Sequence, residues 1–266
     1  GTTKKSKNQK IIKKQVNKVI KRIPLGIVIC ILIVGCIVGY LYYKKINDNK
    51  DSTNENNIKG NVAYLVQEGT TVDDVKITFL ELFGTNGNPQ IGDSVFIECG
   101  DIDILIDAGE KASGSNTVVP FIEEHVSDNI LELVIVTHAD SDHLGGMVGL
   151  SNSYGALEVP GITYQYIVDF GYEGQTQLYK DYLEVRNKKI KEGTKYFSIG
   201  SIFDSDHLEA ITRFYLGVDT YLDLLDYKTY EISEITDDND RSVSCLLTHN
   251  DKKVLLCGDA EKREEA

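Results

Sequence analysis

Apolar positions recur every second residue, or in short unbroken runs, along most of the chain beyond residue 75. Val75, Ile77 and Phe79 alternate with Lys76, Thr78 and Leu80, which predicts a strand over 75–83. Ser94–Cys99 and Ile102–Ile106 read as two strands joined at Gly100-Asp101, a hairpin signal. The period then changes. Val118, Phe121, Ile122 and His125 share one helical face over 118–126, with Pro120 in the first turn, where it is tolerated. Ile130–Val136 is a continuous apolar run, the pattern of a strand buried on both faces. A helix is expected to start at Met147-Val148-Gly149-Leu150. Tyr164–Phe170 reads as another strand, and 175–191 as an amphipathic helix burying Leu178, Tyr182 and Val185. Strands are expected in Phe197–Ile202 and Phe214–Leu225. Val243–Leu247 and Val254–Cys257 form a second hairpin around His249-Asn250-Asp251. A charged helix begins at Glu261. Strands mixed with helices point to an α/β fold.

The first sixty residues follow a different pattern. Ile23–Tyr43 holds no charged residue and is long enough to cross the hydrocarbon core as one helix. Nine Lys or Arg precede it and Lys44 and Lys45 follow. The positive-inside rule places residues 1–22 in the cytoplasm as a basic tail and the rest outside the cell, single-pass in the cell membrane. No A-x-A-like cleavage site follows the apolar run. Ile33-Val34-Gly35-Cys36 is similar to a lipobox, but the apolar run continues beyond it. Residues 44–61 are polar, without apolar period, and read as a linker. That leaves 62–266 as the folded domain.

Charge sharpens this division. The net charge is −13, of which residues 1–50 contribute +11, so the remainder carries −24. An acidic body does not by itself suit a nucleic-acid partner, although a metal or a local basic groove would offset it. The five cysteines show no C-x-x-C spacing. Cys99, Cys245 and Cys257 read as buried small residues, with a Cys245–Cys257 bridge as the alternative. No Gly-rich phosphate loop, Ser–His–Asp arrangement or DNA-binding helix motif is present.

The chemistry concentrates in Thr137-His138-Ala139-Asp140-Ser141-Asp142-His143-Leu144-Gly145-Gly146, directly after the buried run. Two imidazoles and two carboxylates fall within six residues. No regular period puts all four on one face, whereas a tight loop can fold them around one point. Imidazole with carboxylate is a ligand set for zinc, manganese or iron. The two glycines would let the backbone pass close to an ion.

This loop resembles the metallo-β-lactamase-fold signature HxHxDH, in the variant with Asp at the third position seen in ComEC-type competence proteins. Gly92-Asp93-Ser94, Leu105-Ile106-Asp107-Ala108-Gly109, Asn239-Asp240-Arg241-Ser242-Val243 and Leu255-Leu256-Cys257-Gly258-Asp259-Ala260-Glu261 agree with it in order. The resemblance covers roughly residues 76–261. It implies an αββα four-layer sandwich holding one or two divalent ions, Zn2+ or Mn2+. By the same resemblance His138, Asp140 and His143 hold the first ion. Asp142 binds the second or orients the attacking hydroxide, which makes it the candidate catalytic residue. Asp259 bridges the two, and Asp107 supports the loop without binding metal. The carboxylate of Asp140, in place of an imidazole, favours harder ions such as Mn2+.

The family pattern runs on to a further strand and a last His ligand, which this sequence does not contain; truncation of the C-terminal part is expected. His207, in Asp204-Ser205-Asp206-His207, reads as part of a helix cap, His249 as a solvated hairpin tip, and His125 as a surface or partly packed residue. The expected function is a membrane-anchored extracellular metal-dependent hydrolase acting on phosphodiesters, with DNA as a candidate. Two alternatives stand beside it: a catalytically degenerate binding domain of the same fold, and a hydrolase of cell-wall or lactone-type esters. The sequence shows one apolar span only, so transport is not supported.

Overall fold

Two sheets share the apolar residues that the sequence pattern marks as buried. The computed structural model describes residues 62–199, 211–225 and 239–260. The expected membrane span at 23–43, the linker, His207 and the helix from Glu261 lie outside the described residues. No helix among the described residues is long and apolar enough to cross a membrane.

The larger sheet runs β2 (Lys76–Phe79), β3 (Val95–Cys99), β4 (Ile102–Ile106), β5 (Ile130–Val136), β6 (Thr163–Asp169) and β7 (Lys195–Ser198), in that spatial order. The first three pair antiparallel, and β4 to β7 pair parallel. Parallel neighbours need crossovers. One is the helical stretch that ends in α1 (Val119–His125), and another is α3 (Gln177–Glu192). Between them a single turn, α2 (Ser141–Leu144), follows β5. The smaller sheet runs β1 (Val62–Tyr64), β8 (Arg213–Gly217), β9 (Thr220–Leu224), β10 (Cys245–His249) and β11 (Lys252–Leu256). Only β1 and β8 pair parallel in it. Phe214 of β8 meets Tyr166 of β6 edge-on and stacks on Phe197 of β7, so the two sheets touch there. Leu131, Leu133, Val134, Ile135 and Val136 are all fully buried, as the unbroken apolar run of β5 requires.

The parallel strands place Asp107, Thr137 and Asp169 together at their carboxyl ends, the edge where open α/β sheets bind ligands. The opposite end of the same strands carries a different pair. Asp103 and Glu132 are buried there, and Glu132 Oε2 accepts the Asp103 backbone N–H at 2.9 Å. Burial pushes the Glu132 carboxyl up to about 8 and that of Asp103 up to about 7. Both groups are neutral in the fold at a pH where the unfolded chain already ionises them. Their contribution is complete below the ordinary carboxylate range and is lost as pH rises through the folded values. Stability should therefore fall between about pH 5 and about pH 8, and Glu132→Gln should flatten that fall. Thermal melts of the two proteins across this range check it; parallel curves would show that Glu132 does not titrate with the fold.

Several expectations need correction. The strand expected over 75–83 ends at Phe79, because Leu82 turns into the core and Phe83 bridges Pro89. No helix starts at Met147. The helical turn comes earlier, at Ser141–Leu144, and a short 3-10 turn over Gly145–Met147 ends in extended Val148. Glu158 then holds a loop open by accepting from both Gly149 N and Gly155 N. The stretch 214–225 is two strands turning at Val218-Asp219. The helix at 177–192 buries Tyr179 with Tyr182, and Thr176 caps it by accepting from Tyr179 N. His249 is not a solvated tip but the last residue of β10, with Nδ1 at 2.8 Å from Thr220 Oγ1. Cys245 stands opposite Leu256, not Cys257, no Cys245–Cys257 bridge forms, and Cys257 is half-buried where Cys99 and Cys245 are buried.

Candidate metal centre

Asp107 ends β4 in the left-handed region, at φ 57°, a conformation that Asp tolerates better than most residues. The turn aims its carboxylate across the strand end at three donors. Oδ1 accepts the Thr137 N–H at 2.8 Å. Oδ2 accepts the Thr137 hydroxyl at 2.6 Å and lies 2.8 Å from His143 Nδ1. The His143 ring must donate from Nδ1, since a carboxylate only accepts. Its Nε2 is then the outward-facing atom, 3.3 Å from Asp259 Oδ1.

The second imidazole is oriented by the same carboxylate at one remove. His138 Nδ1 lies 2.9 Å from Thr137 Oγ1 and 3.4 Å from Ser242 Oγ. The Thr137 proton is already given to Asp107, so its oxygen accepts from His138 Nδ1. His138 Nε2 is left with its lone pair, fully buried and without a hydrogen-bond partner among the described residues. The nearest carboxylate oxygen, Asp140 Oδ2, is 3.8 Å away. A buried lone pair without a donor is costly unless something fills it. The two imidazole centroids are 4.2 Å apart.

Around this pair the acids divide. Ligand atoms of Asp93, His143 and Asp259 lie within 4.8 Å of one another, as do those of Asp107, His138 and His143. Asp140 is exposed on the His138 side. Asp142 is half-buried on α2, and its backbone oxygen accepts the Asp93 N–H at 3.2 Å. That contact needs Gly92, which has φ +105° and where a Cβ would meet the Asp142 carbonyl oxygen. Gly146 has another use than the expected one. It lets the backbone pass Ala108, whose oxygen a Cβ would strike. The glycines after the loop thus serve backbone-to-backbone packing beneath the centre.

The electrostatics follow from burial and this acid ring. Burial alone would depress His143. The hydrogen bond and charge of Asp107, with Asp259 and Asp142, outweigh it and hold the ring up at about 9. Burial and the neighbouring His143 press His138 below the ordinary histidine value. Burial raises the Asp93 carboxyl, and Asp259, Asp107 and Asp142 add to this against His143. The donor set fits a divalent ion: two imidazole Nε2 atoms, one of them orphaned, beside several carboxylates.

The loop His138 to His143 is thus brought together with Asp107 and Asp259, residues far apart in sequence. Three contributors escaped the sequence reading as site residues. Asp93 stood in a landmark motif, Gly92-Asp93-Ser94, which was its only signal. Thr137 had the signal of directly preceding His138 at a strand end. Tyr172, whose hydroxyl oxygen accepts the Ala139 N–H at 3.1 Å, had none.

Comparisons with known proteins give structures only. No protein-family model matches the chain, and no curated protein matches it. Among solved structures, it is similar to the metallo-beta-lactamase fold protein YhfI from Bacillus subtilis, with 16% identity and a TM-score of 0.39, over 70% of this chain and 63% of that one. The metallo-beta-lactamase FIM-1 from Pseudomonas aeruginosa, in its mono-zinc form, matches at 17% identity and a TM-score of 0.24, over 52% of this chain and 53% of that one. Human tRNase Z, short form, matches at 13% identity and a TM-score of 0.32, covering 68% of each chain. The chain spans less than two thirds of the length of the two bacterial proteins. The protein is a mixed α/β chain with two sheets, and the solved structures it is similar to are metallo-β-lactamase-fold proteins.

Proposed function

We propose that this protein is a metal-dependent hydrolase of phosphodiesters, built as a metallo-β-lactamase-type αββα sandwich of the ComEC-like kind. The observation that carries the reading is the buried, unpartnered Nε2 of His138 beside a His143 whose other nitrogen is locked by Asp107. Such an arrangement commits both Nδ1 atoms to hydrogen bonds within the fold and leaves the two Nε2 atoms as the candidate ligands. His138, Asp140 and His143 hold a first ion in this reading. Asp259, with Asp142 and Asp93, holds a second. Asp107 orients both rings from behind. A bound divalent ion, Zn2+ or Mn2+, supplies an acidified water and polarises the scissile group.

The chain's own residues carry the remaining work. Asp107 keeps His143 Nδ1 protonated, directly, and His138 Nδ1 protonated through Thr137. Asp142 or Asp259, at the exposed side of the centre, is placed to receive the proton of the attacking water. Among the described residues neither cluster contains a third imidazole, which favours a second reading with a single ion or a binding role. By the sequence pattern, residues 23–43 anchor the domain at the outer face of the cell membrane, and DNA is the candidate polymeric substrate.

The test is metal content and hydrolysis of bis(p-nitrophenyl) phosphate, compared with a carboxylic ester, for the full chain and for Asp259→Ala. The expected result is two ions, phosphodiesterase activity, and the loss of one ion and of activity in the variant. One ion or none with no phosphodiester turnover selects the binding domain, and ester turnover alone selects the ester hydrolase.

A further inference from the structure

We propose that Tyr172 is a positioning residue for the metal loop: by accepting the Ala139 N–H, its hydroxyl sets how His138 and Asp140 present their ligand atoms, and Asp169 holds Tyr172 to that place. This rests on the metal-centre part of the reading above, not on the choice of substrate, and adds to it a second carboxylate behind the site.

The loop is held at both ends and, by this contact, in its middle. At its start Thr137 N donates to Asp107 Oδ1, and Thr137 O accepts from Val243 N at 2.9 Å. At its end Asp140 O accepts from His143 N at 3.1 Å and from Leu144 N at 2.9 Å, which closes the turn of α2. Asp140 itself is extended, at φ −68° and ψ 146°. Between these ends stands Ala139 N, 3.1 Å from the Tyr172 hydroxyl oxygen. That N–H belongs to the planar peptide joining His138 to Ala139. Holding it fixes the stretch of backbone that carries His138 on one side and Asp140 on the other. Both residues hold the first ion in the reading above, so a swing of that peptide would move one ligand against the other.

Tyr172 is itself held. Its backbone oxygen accepts the Tyr179 hydroxyl at 3.0 Å, and its ring centroid is 4.4 Å from that of buried Phe170. The turn that delivers it is tied to Asp169, the last residue of β6. Asp169 Oδ1 accepts Gly171 N at 3.1 Å and the Tyr196 hydroxyl at 3.0 Å. Its Oδ2 accepts the Tyr182 hydroxyl and Arg186 Nη1, each at 2.9 Å. Four donors from α3, β7 and the turn thus converge on a residue that is 1% exposed, and a buried network satisfied in this way is rigid. Asp107 and Asp169 do parallel work at the ends of β4 and β6. One fixes the metal loop directly, the other through Gly171 and Tyr172. Partners that orient a metal loop from outside the ligand set are worth 10–100-fold in metal affinity, to order of magnitude. The alternative role for Tyr172 is to pack on Phe170, its hydroxyl satisfying a half-buried N–H and nothing more.

The two roles separate in cobalt-loaded protein, where the visible absorption of the ion reports its ligand geometry. The full chain is compared with Tyr172→Phe, which keeps the ring and removes the oxygen, and with Tyr182→Phe, which takes one donor from Asp169. Ile104→Val, a trim of the fully buried core of β4, serves as the stability control. Co2+ affinity is measured by competition with a chelator, and melting is followed without metal. Tyr172→Phe should bind Co2+ about tenfold more weakly, with an altered absorption band. Tyr182→Phe should show the same changes to a smaller degree. Ile104→Val should melt earlier with affinity and absorption unchanged. Native affinity and absorption in Tyr172→Phe would overturn the inference, as would Ile104→Val reproducing its changes, or a Tyr172→Phe chain without a melting transition in the absence of metal. Native behaviour of Tyr182→Phe would overturn the part assigned to Asp169. No Co2+ uptake by the unaltered protein overturns the metal-centre reading and the inference with it, whereas uptake that is indifferent to Tyr172→Phe overturns the inference alone.

Discussion

Asp107→Ala should cost about 3–5 kcal/mol of folding stability and should also empty the metal centre. The side chain is buried, and its two oxygens are the acceptors for Thr137 N, Thr137 Oγ1 and His143 Nδ1. Alanine would strand all three donors in a place that water does not reach, the costliest way to lose a hydrogen bond. It would also sit at φ 57°, which Ala adopts less readily than Asp. Asp107→Asn separates the two effects. It tolerates the backbone and keeps one acceptor, but its amide donors would face either the Thr137 donors or His143 Nδ1. The asparagine variant should fold with a smaller loss, near 1–3 kcal/mol, yet bind metal 10–100-fold more weakly. Urea unfolding and metal titration of both variants measure this. Native metal affinity in Asp107→Asn would show that the tautomers of the two rings are set by something else.

A divalent ion should stabilise the domain by roughly 4 kcal/mol when present at about a thousandfold excess over its Kd. Without an ion, His138 Nε2 is buried with no hydrogen-bond partner among the described residues, and Asp142 and Asp259 repel the Asp93 carboxylate against the attraction of His143. An ion satisfies the lone pair and the carboxylates at once. His138→Ala should remove most of the metal-dependent part, and its lower metal-free stability, from the cavity and the lost Nδ1 hydrogen bond, sets the baseline against which that part is read. Thermal melts with zinc, with manganese and with chelator, on both proteins, decide it. A melting temperature that does not respond to metal in the unaltered protein would mean that the acid ring is a solvated surface.

Much of the fold was legible because local patterns were strong. Ile130–Val136 could only be a buried strand, and Gly100-Asp101 could only turn between two apolar runs. The candidate loop was legible too, since four ligand-type side chains after such a strand have few other uses. What escaped depended on contacts between distant residues. That β1 lies parallel to β8 has no local signature. Leu82, beyond the end of β2, is buried out of step with the alternation expected over 75–83, and no local pattern marks it. Thr137 reads as an ordinary strand end until the Asp107 carboxylate is placed against it. Asp93 reaches the site only because Gly92 lets its backbone lie against Asp142. Tyr172 sits in a stretch with no motif, and its hydroxyl joins the site by accepting the Ala139 N–H.

The wiring of both imidazoles to one carboxylate has a consequence for the order of events during synthesis. Asp107, Thr137, His138 and His143 all belong to β4, β5 and the loop after it, which pair as neighbours in the larger sheet. That half of the centre can be complete while the smaller sheet is still missing its last hairpin. Asp259, which follows β11, arrives last. A nascent chain therefore holds the two wired imidazoles before it holds Asp259, and the full ring of ligand-type side chains forms only when the second sheet closes.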